Sequence, residues 1–326
     1  MLQRRIWSTI AIAIGCAMFS QDVARAQSYP ERPVTIVVPS APGGSIDVTA
    51  RLLAQYLSSE LKQAVIVENR PGGSGAIGAT TVQNAKPDGY TLLLGTSNTL
   101  SKLPVIAKSI SFDPSKSFSP VASVSGSAAV LVVNPSVAAN SCQEFVKQAR
   151  DNPGQFQYSS SGVGSPPYFN AELLKMRANI NIRHVPFRST SDSINHVVDG
   201  TVEMTFQTMG LMLPHIRTGR LRALGVASPS QDSRLPNVPT MIECGYPGFI
   251  ASDWTALLAP AGTPEPIVLK LNEAANASLK VPQFMAALAE LNVEALGGAP
   301  QELASRIAAD TATWASVARA TQMKVE

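Results

Sequence analysis

The sequence predicts an α/β protein with two lobes, each a mainly parallel sheet flanked by helices, and a ligand cleft between the lobes. Strand-like and helix-like patterns alternate along almost the whole chain, which is typical of parallel strands connected by helices. Glycine-containing turns at residues 39–44 and 160–165 each follow a predicted strand and precede a predicted helix. With 326 residues, 45% of them hydrophobic, the chain is long enough for two domains of ordinary size.

The first 26 residues have the pattern of an export signal. Arg4 and Arg5 precede an apolar run over residues 6–19, and small residues at Ala24 and Ala26 are typical of a cleavage site. Cys16 would be needed for a lipoprotein, but it lies too early and lacks the usual preceding leucine. We therefore expect a signal peptide over residues 1–26, cleavage after Ala26, and export to the periplasm.

In the first half of the chain, apolar spacing separates strands from helices. In order, it predicts a strand at 34–38, a helix at 45–57, a strand at 65–67, a helix at 76–85 and a strand at 91–94. Residues 101–120 are rich in proline and serine and predict an irregular segment, followed by strands at 121–124 and 129–133 near a crossover. Ser141 and Glu144 form a capping box for a helix that ends at Asp151.

The second half repeats this arrangement. A strand at 157–159 leads through a Ser/Gly turn to a helix that has proline in its first turn and extends through Met176. The remaining predicted elements are strands at 182–187, 203–206, 223–227 and 254–258, and helices that end at 199, 279, 291 and 320. The last helix carries an apolar stripe of Leu303, Ile307, Trp314 and Val317. We expect lobe 1 to comprise residues 27–124 and 228–326, and lobe 2 residues 125–227.

Charge and cysteine usage exclude several function classes. The net charge is +3 at pH 7, and three arginines belong to the predicted signal, so there is no basic surface for nucleic acid. No later stretch is apolar and long enough to span a bilayer. Cys142 and Cys244 have no metal-like or redox-motif spacing. They could pair in an oxidising compartment, but we favour two separate buried thiols.

The turn after the first strand predicts an anion site. A helix N-terminus presents backbone N–H groups without partners and a positive dipole end. Gly43 and Gly44 remove side chains that would keep an anion away from that backbone. The alternative is an ordinary strand–helix turn. The turn at residues 160–165 has the same form, and Arg188 at the end of a later strand could bind a carboxylate or face solvent.

Catalytic and cofactor motifs are weak. Residues 73–78 match G-x-G-x-x-G, but no acidic residue follows at the distance that a dinucleotide site requires. Residues 59–62 match S-x-x-K without the supporting motifs of serine acyl-enzymes. The three histidines have no metal-like spacing. We therefore expect no enzyme activity, no cofactor and no metal, although an exported hydrolase with a spatially assembled site stays open.

The motifs in combination resemble the Bug receptor family, the substrate-binding proteins of tripartite tricarboxylate transporters. The motifs, in order, are P-G-G-x-x-D-x-x-A-R at 42–51, E-N-R-P-G at 68–72, D-G-Y-T at 88–91, S-S-G-x-G-S at 160–165, V-P-F-R at 185–188, Trp254, and A-P-A-G-T-P at 259–264. The resemblance covers essentially the whole mature chain. It implies a monomeric two-domain periplasmic binding protein of the type II-like kind that holds a small organic carboxylate between its domains.

The resemblance also implies a ligand-binding set. Its members are Ser40, Ala41, Gly43, Gly44, Asp47, Ser97, Ser161, Gly162, Gly164, Ser165, Tyr168, Phe187, Arg188 and Ser189. Three of them depart from the family pattern: Ser40 replaces a frequent aromatic residue, Tyr168 a frequent polar one, and Ser189 a usual glycine. We expect Tyr168, one turn into its helix, to point back toward the ligand, with packing against Phe169 as the alternative.

The implied role is a receptor that delivers the carboxylate to inner-membrane permease subunits. The alternatives are the ligand-binding subunit of a membrane sensor kinase system and an exported hydrolase.

Overall fold

The computed structural model describes residues 29–107 and 110–323. The predicted signal peptide and its cleavage site therefore lie outside the described residues. Within the described part of the chain, no helix is both long and apolar enough to cross a membrane.

The described chain is a mixed α/β structure. Its strands are β1 (Val34–Val38), β2 (Val65–Asn69), β3 (Thr91–Thr96), β4 (Phe118–Val133), β5 (Gln157–Ser160), β6 (Arg183–Pro186), β7 (Met204–Thr208), β8 (Arg222–Val226), β9 (Ser252–Pro260) and β10 (Glu294–Gly297). Its α-helices are α1 (Ser45–Leu61), α2 (Ala76–Gln83), α3 (Leu103–Ile106), α4 (Pro114–Ser117), α5 (Cys142–Asp151), α6 (Pro166–Ala178), α7 (Thr190–Val198), α8 (Met209–Arg217), α9 (Glu265–Leu279), α10 (Pro282–Glu290) and α11 (Pro300–Ala320).

The strands form one curled sheet in the order β2-β1-β3-β9-β4-β7-β5-β6, with β8 and β10 also paired to β4. The pairs β1–β2 and β1–β3 at one end, and β5–β6 and β5–β7 at the other, are parallel. The central pairs β3–β9, β4–β9 and β4–β7 are antiparallel. We call β2, β1, β3, β9 and β10 the first sheet, and β7, β5, β6 and β8 the second sheet.

Strand β4 connects the two sheets without a break. The sequence predicted two short strands here, because Ser125, Gly126 and Ser127 interrupt the apolar pattern. The structure instead has sixteen consecutive strand residues. The first part, Phe118–Ala128, pairs with β9, and Ala129–Val133 pairs with β7 and β8. Ser125 and Ser127 are tolerated inside the strand because they line the cavity between the sheets rather than an apolar core.

Separate apolar cores support the two sheets, and the last helix packs against both. Leu303 and Ile307 belong to a cluster on the first sheet, whereas Trp314 and Val317 belong to the main cluster of the second sheet. All four are buried, as the apolar stripe predicted. Helix α11 is therefore an element shared by both halves.

The segment between β8 and β9 packs with the second sheet. Met241 and Phe249 lie in the same cluster as Phe206 on β7. We propose that the chain returns to lobe 1 near Ser252, where β9 begins to pair with β4, although the sequence suggested a boundary at residue 228.

The two cysteines are free and buried in that same cluster. The sequence favoured two separate buried thiols over a disulfide, and the thiols are unbonded, although Cys244 lies beside Cys142. That neighbour, together with burial, raises the pKa of Cys142. The thiols thus share one apolar environment.

Further elements depart from the sequence-based predictions. Residues 98–102 form a π-helical turn that continues into α3, in a region predicted to be irregular. Helix α8 was missed because it contains Pro214, a residue that normally interrupts a helix. Strand β10 was missed because its four residues carry little apolar pattern.

Candidate functional site

A cavity of about 730 Å³ opens between the two sheets. The turn between β1 and α1 lines it from one side through Ser40, Ser45 and Ile46, and the loop before α6 lines it from the other through Ser161. Its base consists of polar residues on β4, β7 and β9. The volume lies within the range of about 300–1,000 Å³ that is typical of small-molecule sites.

Asp47 holds the turn between β1 and α1 in shape. Its buried carboxylate accepts hydrogen bonds from the Gly43 N–H at 2.9 Å, from Arg51 Nε at 3.0 Å and from Asn69 Nδ2 at 2.8 Å. The hydrogen bond from Arg51 is the largest effect on its pKa, and together these partners lower the pKa to about 2 although burial opposes them. Asp47 therefore organises the turn, and its oxygens are already engaged.

The N-terminus of α1 is open to an anion. Gly44 is the N-cap residue of this 17-residue helix, and no side chain caps it. The first N–H groups of a helix have no intrahelical partner. Ser45 and Ile46 in the first turn line the cavity, so unpartnered amides and the positive end of the helix dipole lie at its edge.

The loop before α6 is fixed by its own hydrogen bonds. Ser160 Oγ accepts from the Gly162 N–H at 3.0 Å and lies 2.7 Å from His184 Nε2, and Ser165 Oγ donates to the Gly162 carbonyl at 2.6 Å. Gly162 has a φ of 106°, a conformation that favours glycine.

Helix α6 begins with two prolines, which have no N–H to donate. The second loop consequently offers fewer backbone donors than the N-terminus of α1.

Three of the fourteen predicted site residues line the cavity: Ser40, Ser97 and Ser161. The other eleven lie outside its lining, and several have another structural role. Ser189 caps α7 by accepting from the Asp192 N–H at 3.1 Å, Phe187 stacks on His196 with ring centroids 4.4 Å apart, and Arg188 is exposed. The remaining eight are Ala41, Gly43, Gly44, Asp47, Gly162, Gly164, Ser165 and Tyr168.

Tyr168 lies behind the second loop, not in the cavity between the sheets. It lines a smaller cavity of about 430 Å³ together with Glu172 and His184. Its ring meets the His184 ring edge-on at 4.7 Å. Phe169, the alternative partner in the sequence, packs instead against Trp314.

The sequence did not indicate the base of the cavity. Asp253 on β9 accepts from Lys102 Nζ at 3.0 Å and from Thr208 Oγ1 at 2.6 Å, and Ser125 and Thr255 share a hydrogen bond of 2.8 Å. Lys102 and Asp253 are 151 positions apart, so no local motif contains both. The only signal was the run of small polar residues between two apolar stretches of β4.

Three polar atoms of cavity-lining residues have no hydrogen-bond partner among the described residues. They are Ser40 Oγ, Ser127 Oγ and Gln207 Nε2. Buried polar groups in proteins are normally hydrogen-bonded. Unpaired groups at the wall of a cavity are therefore expected where a ligand or ordered water completes the network.

A family model described as "Tripartite tricarboxylate transporter family receptor" matches residues 49–323. The chain belongs to this family. It is 35% identical to the protein BugT of Bordetella pertussis over 327 residues, covering 99% of each chain. The UPF0065 protein in the tcbD-tcbE intergenic region of Pseudomonas sp. (strain P51) is 34% identical over 313 residues, covering 96% of this chain and 92% of the relative.

Solved structures of the family share the fold. The periplasmic binding protein BugD superposes with a TM-score of 0.71 at 30% identity, covering 91% of this chain and 100% of BugD. Rpa4515 of R. palustris, determined with adipate, gives a TM-score of 0.74 at 31% identity and coverages of 91% and 99%. MatC of Rhodopseudomonas palustris, with bound malate, gives 0.70 at 32% identity and coverages of 89% and 99%. The two-lobe solute-binding fold predicted from the sequence is thus confirmed.

Proposed function

We propose that this receptor binds a small organic carboxylate in the periplasm and delivers it to the inner-membrane permease of a tripartite tricarboxylate-type transporter. The observation that carries the proposal is the uncapped N-terminus of α1 at the edge of the cavity. Such a helix end is a natural carboxylate site. The adipate and malate bound to two family members support the same ligand class.

The expected affinity is consistent with a receptor. A hydrogen bond to a charged group contributes about 1.5–3 kcal/mol. Four to six of them would reach the roughly 8 kcal/mol of micromolar binding after the losses of association. The α1 amides, Ser40 and Ser161 could supply most of these bonds from the two sides of the cavity. We propose that Gly162, Gly164 and Ser165 of the second loop also contact the ligand once the cavity closes. Tyr168 is not part of this proposed site, because it lines a different cavity.

A hydrolase would need an accessible nucleophile, and the nearest arrangement is the contact between Ser160 and His184. Ser160 is buried, and its Oγ is also hydrogen-bonded to the N–H and carbonyl of Gly162. This hydroxyl is therefore positioned to shape the loop, which favours the receptor over the enzyme. A sensor kinase partner would use the same ligand site.

Thermal unfolding of the purified protein with di-, tri- and aromatic carboxylates tests the proposal. A true ligand should raise the melting temperature progressively with its concentration. The uncharged amide of the same acid is the matched control and should have no effect. If no carboxylate stabilises the protein, or if acid and amide stabilise it equally, carboxylate recognition is not the function of this cavity.

A further inference from the structure

Asp253 places a carboxylate at the base of the cavity between the sheets. Its side chain is 29% exposed and lines the cavity together with Ser97 and Thr208, which both donate a hydrogen bond to it. Since the cavity is the proposed carboxylate site, a second negative group inside it requires an explanation.

Lys102 compensates the charge of Asp253. The Lys102 side chain is only 1% exposed, and its Nζ lies 3.0 Å from Asp253 Oδ1. Burial alone would raise the pKa of Asp253, but Lys102 and the hydrogen bonds from Thr208 and Ser97 outweigh burial, and the pKa is lowered. Because the Lys102 ammonium lies against the Asp253 carboxylate, the cavity can admit an anion near α1.

The Asp253 carboxylate keeps an unused acceptor position. A carboxylate oxygen can accept about two hydrogen bonds. Within the described residues, Oδ1 accepts from Lys102 and at longer range from Ser97, whereas Oδ2 accepts from Thr208 alone. The next groups on this face of the sheet are the hydroxyls of Ser125, Ser127 and Thr255, which can both donate and accept. This surface matches a group that donates a hydrogen bond, and it repels a second carboxylate placed directly against Asp253.

We propose that Asp253 is a specificity-determining residue that selects carboxylates carrying a hydrogen-bond donor, a hydroxyl or an ammonium group, on the carbon chain. The inference rests on the proposed function, because the first carboxylate must be held at α1. In the bound state the acid group lies at the N-terminus of α1 and the donor reaches Asp253 Oδ2. Ser127, opposite Asp253 in the β4–β9 pairing, supplies a hydroxyl that has no partner among the described residues.

Binding of matched acids tests the proposal. Calorimetry on the purified protein compares succinate with malate and aspartate, glutarate with 2-hydroxyglutarate and glutamate, and phenylacetate with mandelate. Within at least one set, the substituted acid should bind about tenfold or more tightly than the parent, because the added group gains a hydrogen bond to a charged acceptor. The hydroxyl and amino members show which donor is preferred.

Two variants connect this selectivity to Asp253. Asp253→Asn removes the charge but leaves Lys102 buried without its partner, which could unfold the protein. The double variant Lys102→Met with Asp253→Leu removes both charges, and the preference in it should fall to about twofold or less. Asp151→Asn breaks the exposed ion pair with Lys147 on α5 and should retain the wild-type preference.

The outcomes separate this inference from the proposed function. If no acid of the panel binds to the wild-type protein, the proposed function fails and the inference fails with it. If parent and substituted acids bind equally, or if a folded double variant keeps the full preference, carboxylate binding stands and the role of Asp253 is overturned. The assignment is supported if the double variant loses the preference and the control variant Asp151→Asn keeps it.

Discussion

At the scale of one residue, a substitution of Gly44 tests the anion site. Its backbone is extended, with φ −77° and ψ 167°, so any residue can adopt its conformation. A Cβ there would meet only the Ala41 carbonyl oxygen at 3.9 Å. We expect Gly44→Val to fold normally but to weaken carboxylate binding at least about tenfold, because the side chain shields the first amides of α1. Calorimetry with a carboxylate identified by thermal unfolding measures the effect.

Ala299 supplies the matched control for Gly44. It is the N-cap residue of α11 and has nearly the same backbone conformation, with φ −78° and ψ 157°. Ala299→Val should therefore change helix capping to a similar degree without changing affinity. Equal affinities of Gly44→Val and the wild-type protein would remove the α1 turn from the binding site.

Asp47 should make the stability of the protein depend on acid pH. Its pKa is lowered from 3.8 to about 2. Stabilisation by its ionised form is therefore complete above pH 3.8 and is lost as the pH falls toward 2. Asp47→Asn should cost about 1–3 kcal/mol at neutral pH, since Gly43, Arg51 and Asn69 lose a charged acceptor.

Urea unfolding of both proteins, at neutral pH and at a pH between the two pKa values, measures that dependence. The difference between the wild-type protein and Asp47→Asn should shrink at the lower pH. The Asp151→Asn variant, which changes an exposed pair, should differ little from the wild-type protein at either pH. A constant difference for Asp47→Asn would show that the carboxylate is not held in its ionised form by the turn.

At the scale of elements, the sequence predicts best where local pattern and packing agree. β1, α1 and the capped helix α5 follow their predictions because apolar spacing, glycine and a capping serine lie within a few residues of one another. The alternation of strands and helices was therefore sufficient for the fold class.

Elements whose residues serve the cavity were harder to predict. β4 was divided in two because its serines line a cavity that the sequence does not show. The turn of α1 was found from its glycines, whereas the base of the cavity was missed because Lys102, Thr208 and Asp253 meet only after folding. Tyr168 lies in the first turn of α6, as the sequence predicted. The direction of its side chain could not be predicted, because it depends on packing against Tyr158 and His184.

At the scale of the whole molecule, few elements among residues 29–107 and 110–323 connect the two halves. β4 and β9 pair side by side where the first sheet continues into the second, and α11 packs against the cores of both. Asp253 and Thr208 add a hydrogen bond across the same region. Bending of β4 and β9 about this region would bring the α1 turn and the loop before α6 together, a hinge closure of the kind common in periplasmic binding proteins.

We expect saturation with a carboxylate to close the cavity and make the protein more compact. The α1 turn and the Ser161 loop line the cavity from opposite sides, so a ligand that contacts both gains more in the closed state than in the open one. Small-angle scattering should show a smaller radius of gyration with ligand. At a ligand concentration of about 100 times Kd, the stability should also rise by about 2.7 kcal/mol.

The Gly44→Val variant distinguishes closure caused by carboxylate binding at α1 from nonspecific stabilisation by the carboxylate salt. At the same ligand concentration this variant should keep the radius of gyration of the ligand-free protein, because the anion no longer reaches the α1 amides. If the wild-type scattering curves with and without a tightly bound carboxylate superimpose, the ligand is held by one half alone. The cavity would then act as a rigid site, and β4 and β9 would serve as a fixed connection between the sheets.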